Sequence, residues 1–186
     1  MSIVRLSGFA LLAVACSNNN SSSTPDAALG PGAAFKCTSS GKDAWDTYGA
    51  TGFVAVNKSI VANVGTEMTA NGTANLGSAF TLIGTGTPPS TDDNAATFEG
   101  KLAAFLVYAY GGPTTITYSD GKNYNGVQDM VMAHTGLEIT SSQFDYFVAN
   151  IVVPALTTNS VPMGDISSCF APVVTDASFK ASIVEH

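Results

Sequence analysis

Charge is what this chain has least of. Among 186 residues there are 7 Lys or Arg and 14 Asp or Glu, giving a formal net charge of -7. No basic run occurs anywhere, which argues against nucleic acid or an anionic membrane surface as a partner, since both need clustered Lys and Arg. Histidine is scarcer still, with 2 in the chain, and cysteine stops at 3. Cys-x-x-Cys, His-Glu-x-x-His and neighbouring histidine pairs are all missing, so a zinc-type cluster has no ligands. There is no Gly-x-Ser-x-Gly turn to carry a hydrolase nucleophile. Gly84-Thr85-Gly86 lacks the helix and lysine that a phosphate loop needs. The carboxylates are scattered, which leaves paired acid–base chemistry without a candidate. No internal repeat is visible.

Apolar material is plentiful. Hydrophobic residues make up 45% of the chain and include 10 Phe, enough for one domain with a real core. The first fifteen residues read as something other than fold. Arg5 precedes an apolar run, Leu6 to Ala15, that is too short to span a bilayer, and Ala13-Val14-Ala15 leads directly into Cys16. This is the shape of a secretory signal, and it resembles the lipobox of bacterial lipoproteins, which implies lipidation at Cys16. An ordinary cleaved signal or a buried apolar segment is the alternative. Ser17 to Ala33, rich in Ser, Asn, Pro and Gly, then reads as a flexible tether. The domain is expected over residues 34–186. If Cys16 carries lipid, Cys37 and Cys169 remain as a pair, and an exported compartment lets them oxidise to a disulfide; two buried free thiols are the alternative.

Within the domain the apolar spacing is mostly helical. Phe53, Val56, Ile60, Val64 and Met68 form one stripe, stopped by Asn71-Gly72. Leu76 to Phe80 is a short apolar piece, and the Pro88-Pro89 region is loop. Phe98, Leu102, Phe105, Leu106 and Ala109 form a second stripe that Gly111-Gly112-Pro113 halts. Thr114 to Asn125 reads as polar loop, with a short strand as the lesser alternative. Val127 to Ala133 is expected to be a short helix leading to His134. A third stripe follows a cap at residues 140–142 and runs from Phe144 to Leu156, bent at Pro154. A last helix runs from Val161-Pro162 through Val174 and is bent or broken at Pro172. The fold class is all-α.

His134 is the one residue left to carry chemistry. It sits in Met130-Val131-Met132-Ala133-His134-Thr135-Gly136-Leu137 among apolar side chains. A lone histidine cannot hold most metals, but haem needs only one, because the porphyrin supplies four ligands. The run from Gly111-Gly112-Pro113 through Tyr124-Asn125-Gly126, Asp129-Met130 and Ala133-His134-Thr135-Gly136-Leu137 to Ile139, Thr140 and Phe144 resembles group I truncated haemoglobins. That resemblance implies a truncated-globin-like helical sandwich with long loops around a haem pocket, with His134 as proximal iron ligand. Carried over singly, it places Phe80, Phe98, Leu102, Phe105 and Leu106 on or near the distal face. Met130 goes under the ring, with Phe144 and Phe147 at its edge, and Lys101 near a propionate or the iron. All of these apolar side chains also fit a plain core.

One departure bears on function. The Tyr and Gln that hold bound O₂ in that family correspond here to about Gly65 and to Leu102, so the distal side is expected to be apolar. The resemblance implies a haem protein that reversibly binds a diatomic gas (O₂, CO or NO), with possible electron transfer, lipid-anchored in a bacterial cell envelope. Two other classes stay open. One is a nitric oxide dioxygenase or peroxidase-like haem enzyme, which would want distal polar groups. The other is a globin-shaped scaffold without haem.

Overall fold

A computed structural model describes residues 30–82 and 95–186. The expected signal, Cys16, most of the tether and the Pro88-Pro89 loop lie outside these. The described chain is predominantly helical.

Helix α1 (Ala44–Asn71) opens at Asp43, whose carboxylate accepts from Asp46 N at 2.8 Å. Gly49, at φ 60°, divides it into a short and a long limb; this left-handed conformation is one that glycine adopts without strain. The long limb carries the anticipated stripe, with Phe53, Val56, Ile60 and Val64 buried and Met68 packed against them. It ends where the sequence suggested, at Gly72 with φ 57°. Helix α2 (Ala79–Leu82) is a single turn.

Helix α3 (Ala95–Ala109) has two working faces. Gly100, Ala103, Ala104 and Val107 are buried, while Phe98, Leu102, Phe105 and Leu106 are half-buried on the other side. The small face receives an antiparallel hairpin, β1 (Thr115–Thr117) with β2 (Asn123–Asn125), in which Ile116 pairs with Tyr124. Tyr118 and Tyr124 are buried against Ala103 and Ala104. A Cβ on Gly100 would lie 2.3 Å from the Tyr124 ring, so the hairpin can sit this close only over glycine. The segment expected to be loop is therefore a small two-stranded sheet, the exception to the all-α reading.

Helix α4 (Met130–His134) begins three residues later than expected, because Asp129 caps it, accepting from Met132 N at 3.0 Å. Helix α5 (Ser141–Phe147) starts with a full capping box between Thr140 and Gln143. It continues through a π-helical turn, Val148–Val152, into α6 (Val153–Thr158). The same arrangement recurs in α7 (Met163–Asp165), a π-helical turn over Ile166–Phe170 and α8 (Ala171–Val174). Pro154 and Pro172 each stand second in the helix after the wide turn. A proline has no N–H to give, and its ring collides with the carbonyl four residues back; widening the turn relieves both problems without breaking the rod. The expected bends are accommodated in this way. Helix α9 (Ala177–Ala181), capped by Asp176, was not anticipated.

Cys37 and Cys169 are joined as a disulfide, with their Cα atoms 4.8 Å apart. Beside it the buried carboxylate of Asp165 accepts from Ser39 N at 2.8 Å and from the Ser39 and Tyr48 hydroxyls at 2.5 Å each. This ties the start of the domain to α7. Order also begins earlier than composition suggests. Pro31–Ala34 form a 3-10 turn, and Gly30 and Gly32 are buried against residues 108–110, where a Cβ on Gly32 would meet Ala109 O at 2.5 Å. Among the described residues, no helix is long and apolar enough to cross a membrane.

Candidate functional site: an apolar cavity with one histidine

Between α3 and the α4–α5 region lies a cavity of about 540 Å³, within the range of roughly 300–1,000 Å³ typical of small-molecule and cofactor sites. All ten residues assigned to a cofactor from the sequence line it. Phe98, Lys101, Leu102, Phe105 and Leu106 come from α3 and Phe80 from α2; Met130 and His134 come from α4, and Phe144 and Phe147 from α5. The half-burial of the α3 phenylalanines and leucines follows from this, since their free side faces the cavity rather than another helix.

Two aromatic bridges frame the space. Phe80 packs edge-on to Phe98 (6.1 Å between ring centroids) and stacks on Phe147 (5.8 Å), linking α3 to α5. Two helical turns along α3, roughly 10 Å away, Phe105 stacks on Phe179 at 5.9 Å, and Phe179 meets Phe144 at 6.2 Å. The walls are thus propped apart at two points, with a slot between them.

The polar side chains in the lining are mostly committed elsewhere. Tyr110 donates its hydroxyl to Phe170 O (3.1 Å) and Gln128 donates to Asn125 O (2.5 Å). Asp129 caps α4, and Gln143 accepts from Thr140 N at 2.9 Å. His134 is different. Its Nδ1 lies 2.7 Å from Met130 O, the carbonyl four residues back. A carbonyl can only accept, so Nδ1 carries the proton and Nε2 keeps its lone pair. Among the described residues, none hydrogen-bonds to Nε2. Burial pushes the His134 pKa below 6.5; the Met130 bond opposes this in part, and His186 adds to it. The imidazole is therefore neutral at neutral pH, the state in which histidine binds a metal.

No family model matches the chain. No similar protein is found among curated proteins or solved structures.

The donor set narrows what the cavity can hold. Among the described residues there is no group of three or more His, Cys, Asp or Glu able to bind an ion. A bare metal would lack ligands, whereas a flat macrocycle that brings its own would need only Nε2 of His134. The residues fit haem in three respects: one neutral nitrogen, apolar walls, and a lysine in the lining.

One expected correspondence is corrected. Gly65 is exposed and has no place in the lining; α1 contributes Phe53, Val56 and Ile60 instead. The wall formed by α1 and α3 is apolar at these positions all the same, because these three and Leu102 are hydrocarbon. Sequence reasoning placed Phe53, Val56 and Ile60 only in the core. It missed Phe179 and Ile183, which also line the cavity. Their four-residue spacing after the Asp176 cap was the available signal.

Proposed function

We propose that this protein is a haem-binding globin of the truncated kind, reversibly binding a diatomic gas, with lipidated Cys16 holding it at a bacterial envelope membrane. The observation that carries this reading is the convergence of ten residues, chosen by a resemblance in sequence, on one apolar cavity. Their only neutral nitrogen ligand has its other ring nitrogen fixed to the backbone.

His134 would hold the iron through Nε2. Its Nδ1–H bond to Met130 O fixes the ring orientation and raises the basicity of Nε2. Met130, Phe144 and Phe147 would pack on the same side, while Phe98, Leu102, Phe105 and Leu106 exclude water from the other. When bound, haem supplies the iron at which O₂, CO or NO is taken up. The tyrosine and glutamines in the lining, Tyr110, Gln128 and Gln143, are bonded to backbone atoms, which leaves a bound gas without a donor from them. O₂, which gains most from a donor, is therefore held less firmly, while CO and NO lose less. The same absence weighs against dioxygenase or peroxidase chemistry, which needs distal groups to guide protons.

The test is an absorption spectrum of the purified protein supplied with haem, beside His134→Ala. A sharp Soret band at one haem per chain, shifted by CO and lost in the variant, is the expected outcome. A folded, helical protein that takes up no stoichiometric haem overturns the reading.

A further inference from the structure

Helix α4 is only five residues long, yet it carries the histidine on which the proposed function turns. The hydrogen bonds that hold its neighbourhood are nearly all local. From Val127 to Ile139, described partners lie within a few residues, as in the Asp129 cap, the Met130–His134 bond and Thr135 Oγ1 to Val131 O. Three bonds are exceptions, and all run to Glu185 and His186. Gly136 N and Glu138 N donate to His186 O at 3.0 and 3.3 Å, and Glu185 N donates to Ile139 O at 2.9 Å. On both sides of this ladder a non-glycine residue takes left-handed backbone, Glu138 at φ 52° and Glu185 at φ 62°. Such conformations persist where the surroundings over-determine them.

The segment that provides the ladder is itself fastened across the cavity. Phe179 sits between Phe105 of α3 and Phe144 of α5. Lys180 pairs with Asp145 at 2.6 Å and lies 5.6 Å from the Phe144 ring centroid. Ile183 is buried at 8% exposure and lines the cavity with Phe179.

We infer that residues 177–186 are a positioning strap for His134: Phe179 and Ile183 close one side of the cavity, and the Glu185–His186 backbone holds the loop after the histidine in register. Its role toward iron rests on the haem reading, but its mechanical role does not. Without the strap the His134 loop loses its described long-range main-chain hydrogen bonds, so ring angle and reach vary, and a bound macrocycle escapes past the missing Phe179.

Amide hydrogen exchange on the haem-free full chain tests the mechanical part, comparing wild type with a deletion of residues 177–186 and with Phe179→Ala. Protection at residues 133–138 should fall by roughly tenfold or more, the scale of two lost main-chain hydrogen bonds, while α1 and α6 keep theirs. On the haem-loaded protein, transfer of haem to excess apomyoglobin should quicken in both variants, and the iron–histidine stretching band should shift or broaden in the deletion. Phe179→Leu should restore slow transfer in part. If the deletion fails to fold, the two Phe179 variants decide. Unchanged exchange at residues 133–138 together with unchanged haem transfer overturns the strap. Faster exchange in a protein that takes up no haem keeps the strap and removes the haem reading instead.

Discussion

Replacing Cys37 and Cys169 together with alanine tests what holds the ends of this domain. The two are 132 residues apart in sequence, so the bridge closes nearly the whole described fold into one loop. Applying the chain-entropy relation to a loop of that length at 25 °C gives about 5 kcal/mol of stabilisation, exerted through the unfolded chain. For a domain of this size each kcal/mol moves the melting temperature by about 2–4 °C, so the variant should melt roughly 10–20 °C lower. Both cysteines are essentially unexposed, at 1% and 0%; the lost sulfur packing adds to the loss rather than offsetting it. Circular dichroism melts of wild type, reduced wild type and the double variant, with thiol titration to confirm the oxidised state, give the comparison. Reduced wild type should fall near the variant. A drop under about 4 °C in a demonstrably oxidised protein would refute the loop-entropy reasoning. It would mean that the unfolded chain stays compact enough without the bridge that cross-linking it removes little entropy.

Two further outcomes concern the cavity. Leu102→Gln places an amide donor on the cavity side of α3; one neutral hydrogen bond, worth about 0.5–1.5 kcal/mol, should slow O₂ release from the haem-loaded protein up to roughly tenfold and leave CO release nearly unchanged. Equal O₂ release rates in stopped-flow displacement would show that residue 102 does not face the bound gas. The second concerns pH in the haem-free protein. His134 is held below 6.5 when folded, so below that pH the unfolded chain binds a proton that the folded one refuses. Its contribution to stability is therefore nil above 6.5 and becomes a penalty as pH falls through that value. Urea midpoints should decline less steeply on acidification in His134→Gln than in wild type, and identical slopes would contradict this.

The parts of the molecule that were legible in the sequence are those where one face alone is apolar. The Phe53-to-Met68 stripe, the Gly72 stop and the Thr140 cap each leave a local mark. The ten residues chosen by resemblance all line the cavity, but nothing local marks them: Phe80, Phe98, Phe105 and Phe147 stand in three separate segments that only the fold brings beside His134. The hairpin was hidden because its strands are three residues long; only Ile116 and Tyr124 mark them, and two residues cannot show alternation. The strap was hidden for a similar reason, with Phe179 and Ile183 too few to show a helical period and its bonds made by backbone atoms that carry no residue signature. Gly65 lies outside the lining because it follows buried Val64 by one residue, a turn of 100° around α1.

Helix α3 divides its residues between two tasks, and that division has an evolutionary consequence. Gly100, Ala103 and Ala104 carry the hairpin, while Phe98, Leu102 and Phe105 meet whatever enters the cavity. Substitutions on the first face are exposed to selection through folding, since even one added methyl at Gly100 strikes an aromatic ring. On the second face Phe98 and Phe105 also prop the walls, so it is a change at Leu102 that alters what the cavity meets before it alters architecture. A lineage could therefore change what the cavity admits by drifting along one side of a single helix while the other side keeps the protein standing.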